Sequence, residues 1–414
     1  MDVENTQPTE DSPQALDPTF GIDGIASFYD MLSGNAVDAS AQNKSGEFFF
    51  CGSQEDDKPP KWLIKLLPNG KFDASFGKNG LVGFDVGRLD GSRKGMLVVI
   101  GICQTDTRIL VIGWTQLLEL EELTIVGIRS DGSIDSDFGV NGVKRVPLDT
   151  GSKHAIRPEE KGGANAAILL YHNALIIPIR RAVVRLNEEG ELDTSFNGTG
   201  ILPIENGRNM TIAVQPLDNK ILIGNETYSE SDTAEIYRYT DAGIIDKTFG
   251  TNGVYKTLAP KHTVSTLVAD LNGVITYLGA PDTNDRHHFL AQLLGDGTFD
   301  PDFNGGQRVE LKVLNNARYL LDGYMNIDEQ NRRCVAVTSF SGNGIVGVLL
   351  RYLRNGSLDA TFGDGACSSR LWVTREASTH EGWTSLRWSG KRPLLVPDRS
   401  WELSDPMINR FICS

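Results

Sequence analysis

Seven aspartates recur along the chain at a nearly constant spacing, and such a regular set of carboxylates could in principle bind metal ions or transfer protons. Each stands in a phrase of an apolar residue, Asp, two variable residues, Phe, and Gly or Asn. The aspartates are Asp17, Asp73, Asp135, Asp193, Asp246, Asp300 and Asp359. A metal site needs several oxygens that converge on one point. Because these residues lie 53 to 62 positions apart, we interpret them as structural turn caps.

The rest of the phrase supports a capped turn. An Asp side chain accepts the free N–H groups at the start of a helical turn, and Pro18 and Pro301 follow directly, where proline is favoured. Gly or Asn after the Phe suits a residue with positive φ that ends the turn. The phrase therefore predicts a short capped turn that redirects the chain, with its Phe pointing into the protein.

The sixth phrase, Asp300-Pro301-Asp302-Phe303-Asn304-Gly305, matches the first half of a calcium-loop pattern. The closing Glu is missing, since Leu311 stands at that position and Glu310 is one residue early. We therefore interpret the match as chance.

Histidines and nucleophiles give no further site. The six histidines form no His-x-x-x-His or His-Glu-x-x-His pair, and we expect His287 and His288 to be surface residues. The sequence contains no Gly-x-Ser-x-Gly elbow, phosphate loop or dinucleotide fingerprint. It predicts no catalytic, cofactor-binding or metal-binding residue.

Tryptophans are concentrated near the C-terminus, where four of the six occur: Trp372, Trp383, Trp388 and Trp401. Exposed aromatic side chains could stack on sugars or anchor a protein partner, so these are candidate binding residues. The alternative interpretation, which we favour, is that they pack the seam between the last repeat and the first.

The segments between the phrases indicate what positions them. After Asn197, short apolar or alternating runs at 200–204, 210–216, 220–224 and 234–239 are separated by turn residues. This pattern is typical of β-strands of four to seven residues. Other repeats show the same four runs, and the 44 glycines exceed the usual share and indicate many turns.

Four strands in each of seven repeats predict an all-β fold, a seven-bladed β-propeller with about 57 residues and four antiparallel strands per blade. A parallel β-helix is the alternative fold. We expect residues 1–15 to be a disordered acidic segment and 16–414 a single propeller. The repeats start near Leu16, Phe72, Ile134, Leu192, Ile245, Phe299 and Leu358. The sequence leaves open whether the N-terminal stretch helps to complete the last blade.

Composition limits the partners. Of 414 residues, 40% are hydrophobic and 23% charged, which suits a folded core, and the net charge is −14. An acidic protein is a poor ligand for nucleic acid or anionic membranes. The start of the sequence lacks the features of a secretory leader, and no apolar run is long enough to cross a bilayer. We expect a cytoplasmic protein with reduced cysteines and without membrane insertion; leaderless export is the open alternative.

The phrase Leu-Asp-x-x-Phe-Gly-x-x-Gly, with a Gly three residues before the Asp in six copies, resembles the bacterial delta-60 repeat family. The resemblance runs from about Leu16 to the end of the chain. It implies a β-propeller of uncharacterised function, and the family supplies no catalytic motif to transfer.

Three functional hypotheses follow. The first is a non-enzymatic binding or scaffold propeller that presents a rigid surface to a protein or glycan. The second is a hydrolase or lyase with carboxylates at the axial channel, and the third is an accessory protein of an exported toxin or surface complex. No cofactor and no nucleic acid partner is expected.

Overall fold

The computed structural model describes most of the chain. The described residues are 17–27, 35–54, 61–91, 97–115, 122–148, 168–179, 181–204, 208–226, 234–257, 262–281, 288–311, 319–341, 344–362, 371–372, 383–389, 392–397 and 407–410. The segment 1–15, predicted to be disordered, lies outside these residues.

Within the described residues, six sheets each consist of four consecutive antiparallel strands, with the first strand at one edge and the fourth at the other. Their strands are β2–β5 (Asn35–Gln42, Phe48–Gln54, Lys61–Leu66, Leu81–Phe84), β6–β9 (Leu97–Gln104, Ile109–Thr115, Glu122–Ile128, Val143–Pro147), β10–β13 (Leu169–Tyr171, Ala174–Ile179, Ala182–Asn187, Ile201–Pro203), β14–β17 (Arg208–Val214, Ile221–Glu226, Glu235–Tyr239, Val254–Lys256), β18–β21 (His262–Ala269, Ile275–Pro281, Phe289–Leu293, Val309–Glu310) and β22–β25 (Tyr319–Ile327, Arg333–Ser341, Gly344–Tyr352, Leu371–Trp372).

A further four-stranded sheet joins the two ends of the described chain. It contains β26 (Trp383–Ser389), β27 (Arg392–Pro397), β28 (Met407–Arg410) and, at its outer edge, β1 (Ile25–Ser27). Ile25 pairs with Asn409 and Ser27 with Met407, antiparallel. The N-terminal stretch thus supplies the fourth strand of this sheet. The sequence alone did not decide whether it would do so.

Consecutive sheets pack against one another. The first strand of each sheet contacts the first strand of the next, and β26 contacts β2. Hydrophobic clusters lie between neighbouring sheets; one combines Phe49 and Leu63 of the β2–β5 sheet with Val99 and Val111 of the β6–β9 sheet. Strands in the middle of a sheet are therefore covered on both faces, and every residue of β4 and of β20 is buried. Such strands read as apolar runs because neither face meets water.

Six of the seven first strands share one irregularity, which β10 lacks. A register shift occurs in β2 between Val37 and Ala39, and shifts near the same place interrupt β6, β14, β18, β22 and β26. Such bulges strengthen the local twist of a strand. These six sheets can thus twist away from their neighbours where the first strands meet.

The predicted all-β class and the four antiparallel strands per sheet are confirmed. The ladders between the strands named here are all antiparallel, so the alternative of a parallel β-helix is wrong. The described residues include one helix, α1 (Val86–Leu89), which is capped by Asp85. No helix among the described residues is long and apolar enough to span a membrane. Cys51, Cys103 and Cys334 are buried and form no disulfide.

Candidate functional site

Each repeat phrase forms a hydrogen-bonded turn, here called a corner, that leads into the outermost strand of its sheet. In every corner the Phe N–H donates to the carbonyl of the Asp three residues earlier, at 2.9–3.1 Å. The Phe side chain points inward and is at most 2% exposed. These residues are Phe20, Phe76, Phe138, Phe196, Phe249, Phe303 and Phe362. Each Phe therefore anchors its corner in the space between two sheets.

The Asp carboxylates hold the corners closed. In six corners Oδ1 accepts the backbone N–H two residues later, at 2.9–3.1 Å. In five of them a hydroxyl also donates to Oδ1; these are Thr19, Ser75, Ser195, Thr248 and Thr361. Sequence reasoning missed these hydroxyls, although Ser or Thr directly precedes the Phe in five of the seven phrases.

In five corners the second carboxylate oxygen meets a side chain from the preceding strand, eight positions before the Asp. Lys65, Arg185, Arg238 and Arg351 form ion pairs with their aspartates at 2.7–2.9 Å. Gln292 takes this place beside Asp300 and donates to Oδ2 at 2.7 Å. Sequence reasoning also missed these residues, for which the fixed spacing of eight was the available signal.

The three arginines of this set also cover the Phe rings of their corners. Their guanidinium carbons lie 4.4–4.9 Å from the ring centroids, which is within the range of cation–π contacts. Arg351 is 1% exposed. A buried charge of this kind needs a partner, so Asp and Arg in each of these corners depend on each other.

The corner at Asp135 is built differently. Gly127 stands eight positions before it, and a β-carbon on Gly127 would lie 2.8 Å from Phe138. The cation comes instead from Arg108, whose Nε lies 3.1 Å from Asp135 Oδ2 and whose guanidinium lies 5.0 Å from the Phe138 centroid. Arg129 pairs with Oδ1 at 3.0 Å.

Hydrogen bonding and charge keep several of these carboxylates ionised. Hydrogen bonds from Ser75 and Ser195 lower the pKa of Asp73 and of Asp193, respectively, and Lys65 and Arg185 lower them further. Burial alone would raise the pKa of Asp359, but the hydrogen bonds from Thr361 and the ion pair with Arg351 outweigh it and lower this pKa. A carboxylate held in this state is a poor general acid at neutral pH.

The corners also join neighbouring sheets. Gly21 N–H donates to Asn69 O at 2.7 Å, and Gly250 N–H donates to Asp296 O at 2.7 Å, in each case in the next sheet. Gly70 has φ of +79°, and a β-carbon there would lie 2.8 Å from the Phe20 ring. In five corners the glycine of the preceding turn thus admits the Phe of the preceding sheet; these glycines are Gly70, Gly190, Gly243, Gly297 and Gly356.

The seven aspartates belong to seven separate corners. Within the part of the chain that the structure describes, no three His, Cys, Asp or Glu side chains lie close enough to hold a metal ion. At the calcium-like sixth phrase, Asp300 Oδ1 accepts the Asp302 N–H and Oδ2 accepts the Gln292 amide. Protein donors therefore occupy both carboxylate oxygens of Asp300, the first ligand position of the calcium pattern.

The tryptophans and histidines are only partly described. Trp372 lies in β25, Trp383 and Trp388 lie in β26, and nothing is described of their side chains; Trp401 lies outside the described residues, as does His287. His288 is 2% exposed, so its predicted surface position is wrong. It directly precedes β20, which is buried on both faces, and burial lowers its pKa to about 4.

One buried ion pair lies outside the corners. Asp38, at the bulge of β2, and Lys61, at the start of β4, approach to 3.1 Å with side chains 1% and 3% exposed. Sequence reasoning missed this pair, because a single Asp and a single Lys 23 positions apart form no motif.

The turns between the first and second strands form a second set of linked loops, here called the inner turns. Asn43 Nδ2 donates to Gln104 Oε1 of the next sheet at 2.7 Å, Gln215 Nε2 donates to Gly273 O at 2.9 Å, and Asn331 Nδ2 donates to Asp270 Oδ2 at 2.9 Å. These hydrogen bonds tie the inner turns of three pairs of neighbouring sheets together.

Comparison with known proteins gives a fold family but no activity. A family model described as "Domain of unknown function (DUF5122) beta-propeller" matches residues 178–196 and 330–362. Both matches include the third strand of a sheet and the corner that follows it. No curated protein sequence matches the chain.

Solved structures with similar folds share little sequence. Raptor from Chaetomium thermophilum is 12% identical over 94% of this chain, with a TM-score of 0.49, and the chain spans 29% of that protein. A quinonprotein alcohol dehydrogenase-like protein from Bacteroides thetaiotaomicron VPI-5482 is 9% identical, with 80% of this chain and 68% of that chain covered and a TM-score of 0.44. The informative match is therefore the one between the corner repeats and a β-propeller family of unknown function.

Proposed function

We propose that the protein is a non-enzymatic binding propeller, whose sheets form one closed seven-bladed ring that presents the inner turns to a protein partner. The observation on which this proposal rests is that the carboxylate of each of the seven recurring aspartates is engaged by the protein's own groups. Each corner Asp is engaged by a cation or an amide of its own sheet, or, in the first corner, by Thr19. These aspartates therefore stabilise the fold, and we do not assign them a catalytic role.

Two features support the seven-bladed ring. The first strands contact one another in sequence, and β26 also contacts β2, which suits a closed circle of sheets. The pairing of β1 with β28 gives the last sheet the same four-stranded composition as the others.

Rigidity supports a binding role. A partner that binds preformed turns does not have to pay for ordering them, so more of the contact energy appears as affinity. The inner turns meet this condition because hydrogen bonds such as that from Gln215 to Gly273 join one sheet to the next.

The experiment is capture of partners from the native lysate by increasing amounts of immobilised protein, together with a glycan array. We expect a protein that is captured saturably and in fixed stoichiometry. The proposal is overturned if no protein is captured saturably, including the case in which only a glycan binds. It is also overturned if a hydrolase or lyase activity is found that Asp359→Asn abolishes while the melting temperature is unchanged.

A further inference from the structure

Two of the inner turns carry an exposed leucine at a position where other inner turns carry polar residues. Leu217 is 70% exposed and Leu271 is 79% exposed, and they occupy the inner turns of two neighbouring sheets, β14–β17 and β18–β21. The corresponding tips in other sheets are polar, namely Lys44-Ser45, Asp106-Thr107, His172-Asn173 and Glu329-Gln330. Single exposed leucines are common on proteins, but a neighbouring pair of turn-tip leucines indicates a contact surface.

The two leucines sit on turns that are fixed relative to each other. Gln215 donates to Gly273 O at 2.9 Å, and a β-carbon on Gly273 would lie 3.8 Å from Leu217 Cδ2. The Leu217 side chain therefore reaches the turn that carries Leu271. The apolar surface exists before any partner arrives.

Carboxylates border this surface. Asp218 directly follows Leu217, and its side chain is 38% exposed. The turn that carries the exposed Asp296 converges on the same place, because Arg238 donates both to Gly295 O and, at 3.4 Å, to Gln215 Oε1. Two cations lie nearby: Lys220 pairs with Asp218 and Asp246, and the buried Arg238 pairs with Asp246. The three carboxylates Asp218, Asp246 and Asp296 therefore outnumber these two cations.

We propose that Leu217 and Leu271, with Asp218 and Asp296 at their border, form a docking surface for a partner protein segment that carries apolar side chains flanked by Lys or Arg. We call it the Leu217–Leu271 surface. It rests on the proposed binding function and names the surface and the chemistry of the partner. Apolar side chains surrounded by polar or charged residues are a usual arrangement at protein interfaces.

The charge of the Leu217–Leu271 surface favours one kind of partner over another. A second copy of this chain would bring its own net charge of −14 to an acidic border, and like charges oppose such association. A basic segment would instead be attracted, and the border carboxylates would select it over acidic segments.

The test uses a phage-displayed library of random peptides of about 12 residues, the length of a typical recognition segment. It is selected on the full-length protein, and each enriched peptide is then measured by fluorescence anisotropy. The test variant is Leu217→Ser/Leu271→Ser. The matched control is Ile22→Ser/Val140→Ser, since these residues are 81% and 60% exposed but lie in two separate corners. Thermal melting checks that both variants fold like the wild type.

We expect enriched peptides to combine apolar residues with an excess of Lys and Arg. Their affinity should fall at least about tenfold in Leu217→Ser/Leu271→Ser, the loss expected from one buried leucine contact, and remain unchanged in the control. It should also weaken as salt is raised. The proposal is overturned if no peptide is enriched, if enriched peptides carry no positive charge, or if they bind the test variant as tightly as the wild type. It is also overturned if the wild type sediments as a dimer that the test variant loses.

Lysate capture separates this proposal from the broader function. A saturable partner that binds the wild type and Leu217→Ser/Leu271→Ser equally would overturn the Leu217–Leu271 surface and leave the binding function standing. A wild type that captures nothing saturably and enriches no peptide would overturn both.

Discussion

The corners at Asp359 and at Asp135 place a cation in the same position but take it from different strands. At Asp359 it is Arg351, eight residues earlier in the third strand of the sheet, 2.7 Å from the carboxylate and 4.4 Å from the Phe362 centroid. At Asp135 the third strand has Gly127, and Arg108, next to the second strand, supplies the charge at 3.1 Å and 5.0 Å.

A third corner shows both solutions together. Arg238 of the third strand and Lys220, next to the second strand, pair with Asp246 at 2.9 and 3.1 Å. In these three corners a cation pairs with the Asp, and either neighbouring strand can provide it. A repeat that lacks a cation in the third strand can therefore keep the ion pair with its Asp by using a cation next to the second strand.

The largest expected difference comes from removing each cation. Arg351→Ala should lower the free energy of unfolding by about 3 kcal/mol, the lower end of the range for a broken buried pair. The buried Asp359 then keeps only Arg332, at the longer distance of 3.5 Å, as a cation partner. Arg108→Ala should cost less, about 1–3 kcal/mol, since Arg129 still pairs with Asp135. Urea unfolding measures both.

Arg88→Ala serves as the control for these two variants. Arg88 pairs with Asp85, but its side chain is 89% exposed, so no measurable loss is expected. If Arg108→Ala costs as much as Arg351→Ala, Arg129 does not compensate and the interpretation of the Asp135 corner is wrong.

A second prediction concerns moving the cation back to the third strand. Arg108→Ala/Gly127→Arg should be less stable than Arg108→Ala by about 1–3 kcal/mol, the usual cost of overpacking. The reason is that any β-carbon at position 127 meets Phe138 at 2.8 Å. Gly127→Ala isolates this clash from the added charge. A double variant that regains wild-type stability in urea would show that the two corners are interchangeable.

The smallest expected effect is that of pH. Since the pKa of Asp359 is lowered in the folded state, its contribution is complete above the unfolded value, about 3.9, and is lost as pH falls below that value. Asp359→Asn should therefore flatten the loss of stability below about pH 4. Unfolding curves measured across this range test it, and an unchanged slope would contradict it.

The pH range of His288 is different, so the two effects can be separated. Burial lowers its pKa to about 4, and stability should fall as pH drops from about 6.5 towards that value. Asp359→Asn should leave this part of the curve unchanged, which makes it an internal control.

Sequence reasoning found what depends on local geometry. The Asp, Phe and Gly of each corner interact within a few residues, so their spacing is constant and visible. The cation of the Asp135 corner could not be found in this way, because Arg108 lies 27 positions before its Asp and meets it only when two strands pair. Leu217 and Leu271 likewise form a common surface only because two sheets are neighbours, and His288 is buried because sheets cover both faces of β20.

The pairing of β1 with β28 has a consequence for biosynthesis. The ribosome must release the segment that includes Met407–Arg410 before Ile25–Ser27 can find its partner, so β1 waits until the six intervening sheets have been synthesised. Closing a loop of this length costs about 5 kcal/mol of chain entropy, which favours sheet formation in order along the chain with the terminal sheet last. A circular permutant that begins between two sheets would remove this delay.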